Sequence, residues 1–318
     1  MTALHDPGCT ISRSNTGSPS CDFKPGNIIW ACLIPKAIEL SAAEVASSAA
    51  FITKMQAMVI AAPTVRAFPI GKLDNPKDSS EEPLFEKSAY GNSIFVRDGK
   101  YVWEFSIVDG GLGLLGNLMA FNNTKAYKII FADSQNFIFG TKSTAVTGGM
   151  KGLEIDSIYF KPWKMSDGSK GTAYTFTVTL SDPSELNQDV EFLKLDSDPD
   201  ESIKGCIDVV LELGTLTPAS KISIKVIEKY SRINLYGLYS TLLNDENAWV
   251  VTKAGAAVTP ASHALVAAEE AVEITLTTPA GAHVFSLAAP AALDTLGIGG
   301  PPDNGFESNT LSATFVQP

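Results

Sequence analysis

"SIVDGGLGLLGNLMAFNNTKAYKIIFAD", residues 106–133, decides between two fold classes. It contains Gly111-Leu112-Gly113-Leu114-Leu115-Gly116, a literal G-x-G-x-x-G, and Asp133 follows about twenty residues on. In a dinucleotide-binding βαβ unit such glycines admit a pyrophosphate to a helix N-terminus, and the later acid binds the ribose. Three features argue against that unit here. The preceding run Val102-Trp103-Glu104-Phe105-Ser106-Ile107 has the polar interruptions of a half-exposed antiparallel strand. Any helix must end at Asn122-Asn123-Thr124, which leaves about two and a half turns. Asp133 stands where the chain folds straight back through "NFIFG", in a hairpin turn. The stretch therefore predicts a glycine-permitted bend with one short helix, joining antiparallel elements.

On both sides of it the period is two. "SIFVRDGKYVWEFSIVD" (93–109) reads as two strand runs around Asp98-Gly99, a type I′ hairpin signal. "LEIDSIYFKPW", "TAYTFTVTLSD", "DVEFLKL", "SIKGCIDVVLEL" and "KISIKVIEKY" continue the series up to residue 230. Upstream, Ser41 with Glu44 makes a capping box opening a helix near 42–57, which Pro63 follows. Residues 65–90 carry three prolines and a cluster of acids and read as a long exposed loop. The fold class expected is mainly β: an antiparallel β-sandwich or barrel over 28–238 with one flanking helix. An extended N-terminal arm, 1–27, precedes it. A small C-terminal Ig-like β-sandwich, 239–318, follows, rich in Ala, Thr and Val, with strands near 272–278 and 283–288.

The chain has 318 residues, 45% hydrophobic, and a formal charge of −11, enough apolar content for a core. The acid surplus argues against a protein that grips nucleic-acid phosphates. The opening residues lack the apolar run of a signal peptide, and 44–63 is too interrupted by Glu44, Lys54 and Gln56 for a membrane span. Cys9, Cys21, Cys32 and Cys206 match no C-x-x-C spacing. Cys9 and Cys21 bracket a polar loop that a bridge would close; without an export signal, reduced thiols are the favoured reading.

Chemistry-bearing motifs are sparse. Asp196, Asp198 and Asp200 alternate as in a calcium loop, but Glu201 and Ile207 stand where an EF-hand needs Gly and Glu, and Pro199 intrudes. They form a weak calcium candidate, with an exposed acidic turn as the favoured alternative. His5, His263 and His283 are the only histidines, none near a cysteine or acid cluster in sequence. "GNSIF" (91–95) lacks the second glycine of a nucleophile elbow. Trp103, Trp163 and Trp249 suit core packing better than carbohydrate stacking. Asn122-Asn123-Thr124 fits a glycosylation sequon formally, a match of little weight without an export signal. No catalytic residue, cofactor site or enzymatic activity is expected.

The block "KAYKIIFADSQNFIFGTK" (125–142) and the opening "NTGSPSCDFKPGNIIWACLIPKAIEL" (15–40) resemble tailed-bacteriophage virion structural proteins. The arm, the β domain with one helix, the exposed loop and the appended sandwich are arranged as in major tail tube proteins. That resemblance implies a virion subunit, assembled in the host cytoplasm, whose partners are copies of itself and other virion proteins. Strands would join into rings and tubes, with the arm 1–27 and the loop 65–90 at inter-subunit contacts. An acidic lumen would let DNA pass without tight binding, and no membrane is involved. The same features suit a head decoration protein, a tail terminator, a baseplate component, or a β-sandwich module binding glycans or a host surface.

Overall fold

The computed structural model describes residues 25–107, 112–163, 174–217, 220–298 and 305–315. The chain divides into two compact units, Met1–Lys204 and Gly205–Pro318. Most of the expected arm, 1–24, lies outside the described residues, as do Cys9, Cys21 and His5.

The strands of the first unit are β1 (Ile28–Pro35), β2 (Phe68–Asp78), β3 (Leu84–Lys87), β4 (Ser93–Arg97), β5 (Val102–Ile107), β6 (Tyr127–Asp133), β7 (Phe137–Lys142), β8 (Met150–Lys151), β9 (Leu153–Phe160), β10 (Tyr174–Leu180) and β11 (Val190–Lys194). Its helices are α1 (Ser48–Val59), α2 (Leu112–Leu118), α3 (Ser184–Asn187) and α4 (Pro199–Ser202). Six strands pair in a closed circuit, β1–β2–β5–β10–β9–β6 and back to β1, every pair antiparallel. β7 extends from β6 and carries β8 and β11. The protein is mainly β with antiparallel sheets, sandwich- or barrel-like, as the alternating pattern predicts.

The circuit follows from side-chain periodicity. In β10, Phe176, Val178 and Leu180 are buried while the intervening threonines are half-exposed. All six strands feed one core. Phenylalanines run through it in contact: Phe160–Phe176 at 5.1 Å, Phe105–Phe176 at 5.4 Å, Phe105–Phe131 at 5.7 Å and Phe131–Phe139 at 5.8 Å between ring centroids. β1 is an unbroken apolar run because both its faces are covered: Ala31 and Leu33 join this core, and Trp30, Cys32 and Ile34 are buried on the other side. α1 buries the stripe Phe51, Met55, Met58 and Val59, spaced at helical turns.

Three local expectations need correction. The Ser41–Glu44 capping box forms: Ser41 donates through N (2.7 Å) and Oγ (2.9 Å) to Glu44, and Glu44 N returns a bond to Ser41 Oγ at 3.4 Å. It closes a turn, however, and the helix begins at Ser48, where the Ser47 hydroxyl accepts from Ala50 N at 3.2 Å. Residues 65–90 are no loop, since β2 occupies the circuit between β1 and β5 and β3 follows. Nor does Asp98-Gly99 turn a hairpin. β4 pairs with β3, whereas β5 takes β2 and β10 as its neighbours.

The second unit contains β12 (Ile207–Thr217), β13 (Lys221–Glu228), β14 (Trp249–Lys253), β15 (Ala256–Ala257), β16 (Ser262–Val266), β17 (Ala271–Thr275), β18 (Gly281–Leu287), β19 (Phe306–Ser308) and β20 (Leu311–Phe315), with helices α5 (Tyr236–Leu243) and α6 (Pro290–Thr295). One sheet runs β16-β17-β13-β12-β19 and the other β15-β14-β18-β20. Both contribute to one core, with Ile222, Ile224 and Ile274 from the first sheet and Val251, Phe285 and Phe315 from the second, which makes this unit a sandwich. The unit begins at Gly205, not near 239. β12 and β13 belong to it because β13 pairs with β17 and β12 runs parallel to β19.

Candidate interaction surface

Beyond the circuit, β2 and β5 continue outward together. Ser79 N donates to Val102 O at 2.8 Å and Glu81 N to Lys100 O at 2.9 Å, so the two chains stay laddered past the sheet. Gly99 permits this approach, since a Cβ there would lie 1.8 Å from the Glu81 carbonyl oxygen. Arg97 pairs with Glu81 at 3.1 Å across the same neck. β3 and β4 then pair with each other, Phe85 opposite Phe95 with ring centroids 5.8 Å apart, and Ser88–Asn92 closes the tip.

Every strand residue of this ribbon is exposed. Leu84, Phe85, Ile94, Phe95 and Val96 are all more than two-fifths accessible, and Tyr90 at the tip is 93% exposed. Apolar side chains occupy both faces, because consecutive residues Ile94, Phe95 and Val96 point alternately to opposite sides. An isolated two-stranded hairpin is marginal in water, and clustered exposed apolar residues mark contact sites. Neither β3 nor β4 has another strand partner among the described residues. The signal was present in sequence: "LFEK" and "SIFVR" flank a Gly-containing turn, and three successive apolar residues do not fit a strand with one wet face.

At the ribbon's base lies an open cleft of about 190 Å³. Asn27, Pro76, Lys77, Asp78, Trp103 and Phe105 line it. β2 has an irregularity there, between Asp74 and Lys77, and Asn75 takes φ 50°. Trp103 is half-buried, its ring 5.3 Å from Phe131 and 5.7 Å from Tyr101.

The other singled-out residues do not converge. Leu112–Leu118 forms one short helix followed by a 3-10 turn, Met119–Phe121; Gly111 and residues 108–110 lie outside the described residues. The next strand, β6, pairs antiparallel with β1, β7 and β9, so no βαβ unit forms around the glycines. Asp133 is fully buried and organises the β6–β7 turn, its carboxylate accepting from Gly26 N (2.8 Å), Gln135 N and Phe137 N (2.9 Å each). Asp196, Asp198 and Asp200, the weak calcium candidate, do not form a cluster: among the described residues no three His, Cys, Asp or Glu side chains are placed to share a metal. The chain turns into α4 at Pro199, and Asp198 caps that helix by accepting from Asp200 N at 2.9 Å.

His283 is buried between Phe285 and Phe315, its Nδ1 3.2 Å from Gly281 O, while burial lowers the pKa of half-buried His263. Trp249 is a core residue whose Nε1 donates to Leu243 O at 2.7 Å, as core packing predicts. Trp163 departs from that expectation at 40% exposure. The Asn122 side chain is engaged with β9, accepting from Phe160 N at 2.6 Å and donating to Phe160 O at 3.2 Å. Cys32 is a buried free thiol, its pKa pushed far up by burial, and the Cys206 thiol donates to Gly305 O at 3.5 Å.

A further charged group is structural. Lys128, almost fully buried, lies 3.6 Å from Glu154 and 3.8 Å from Glu39. Lys36 also reaches Glu154 at 2.7 Å, and Lys151 reaches Glu185 at 3.3 Å. Glu185 accepts from Glu154 N at 2.7 Å, and the Ser143 hydroxyl donates to Glu39. Three cations and three carboxylates balance, so the network fixes register and leaves no isolated charge. No helix among the described residues is long and apolar enough to cross a membrane. No protein-family model matches the chain, and no curated protein matches it.

Proposed function

We propose that this protein is a non-enzymatic virion structural subunit of a tailed bacteriophage, tail tube-like, acting by self-assembly into rings or tubes. The observation that carries the reading is the β3–β4 ribbon, apolar on both faces and exposed throughout. A surface of that kind is a liability in a monomer and an asset in an assembly. β3 and the Tyr90 tip fall within residues 65–90, which the tail tube resemblance assigns to inter-subunit contact. The formal charge of −11 suits a lumen along which DNA slides without adhering. Other virion proteins are the remaining partners in this reading, and assembly takes place in the host cytoplasm.

Size measurement by light scattering at micromolar concentration, with negative-stain microscopy, tests it. Rings, tubes or a defined oligomer are expected. A stable monomer with no higher structure overturns the proposal.

A further inference from the structure

Resting on that reading, we propose that the Tyr90 tip of one copy inserts into the Trp103–Phe105 cleft of a second copy. The tip is built as a knob. Tyr90 is flanked by Ala89 and by Gly91, which sits at φ 84°, so its ring stands clear of neighbouring side chains. At 93% exposure that ring occupies no cleft of its own chain. The cleft lies at the other end of the same ribbon, where Asp78 faces Trp103. The ten-residue step from Asp78 to Ser88, through the laddered neck and β3, spans at most roughly 33 Å, so knob and hole are held apart within one chain.

Chemistry matches at both ends. Half-buried Trp103 offers a floor for an aromatic ring, backed by the buried Phe105, and exposed Pro76 an apolar wall. Asn27 and Asp78 carry side-chain oxygens able to accept from the phenol, whose hydroxyl needs a partner once buried. Beside the tip stand exposed Glu86 and Lys87; beside the cleft stand exposed Lys77 and Asp78. Opposite signs can therefore meet twice across the contact. Because knob and hole are different surfaces, the contact is head-to-tail: it closes into a ring or propagates as a filament. A partner of unrelated sequence would not need the complement to be present on this chain.

The full chain with photoreactive p-benzoylphenylalanine in place of Tyr90, irradiated under assembling conditions, tests this by peptide mapping. Inter-chain cross-links from position 90 to 76–78 or 103–105 are expected. Assembly with cross-links only elsewhere on the neighbour overturns the tip–cleft contact and leaves the assembly reading standing. An unsubstituted chain that stays monomeric under the same conditions overturns both, whereas assembly lost only on replacing Tyr90 supports the tip's role. As a second measurement, Lys77→Glu should weaken assembly roughly threefold to tenfold, and adding Glu86→Lys should restore it. Unchanged assembly in Lys77→Glu counts against the charge matching and the docking pose built on it.

Discussion

Asp133 has no exposed surface and satisfies three backbone donors, two within its own turn and one at Gly26, which leads into β1. One carboxylate thus fastens the β6–β7 turn to the chain entering the circuit. Removing it takes a charged acceptor from three part-buried hydrogen bonds, and a bond to a charged group contributes about 1.5–3 kcal/mol. Asp133→Ala is expected to lower stability by roughly 3 kcal/mol in urea unfolding, with Asp133→Asn less damaging because one oxygen remains. The role of this residue was legible in the sequence, because a polar turn between two β-rich runs leaves little else for an acid to do. The distant bond to Gly26 was not, since nothing local announces a partner 107 positions away.

Among the elements, the ribbon shows where local reading stops. Asp98-Gly99 carries a strong hairpin signal, yet β5 is taken by β2 and β10, and that pairing places its Trp103, Phe105 and Ile107 against an aromatic core. Tertiary competition overrides the dipeptide. Gly99 is kept for closeness rather than for a turn, its φ being negative while its missing Cβ makes room for Glu81. Gly99→Ala should therefore open the neck: amide exchange at Glu81 rises by an order of magnitude or more, while global stability changes by under about 1 kcal/mol. Unaltered protection at Glu81 would show that the neck tolerates the methyl group. The β6–β7 hairpin was readable because its partners are adjacent in sequence. The unit boundary was not: Ile222 and Ile224 in β13 meet Ile274 and Val272 in β17, about fifty residues on.

At the scale of the whole molecule, an acidic chain must hold its carboxylates in place, and acid should release them. Glu39 is held below the usual carboxylate range first by the Ser143 hydroxyl, with Lys128 and Lys151 adding to it. Asp156 is lowered by Lys100 and Lys125, and in the second unit Glu269 by Ser223 and Thr215. For each, the folded pKa lies below the unfolded one. Their stabilisation is complete above the ordinary carboxylate range, about pH 4 to 5, and is lost as pH falls through the folded values. Glu185 runs the other way. Burial raises its pKa, so its contribution is present at low pH and fades as pH rises through the folded value. Lowered groups outnumber it, so urea midpoints should fall between roughly pH 6 and pH 3. Glu39→Gln should flatten that fall in the first unit, because the amide no longer titrates. Glu185→Gln should steepen it, by removing the one group among these that favours the folded state on protonation. A midpoint independent of pH across this range would mean that these carboxylates are not coupled to folding.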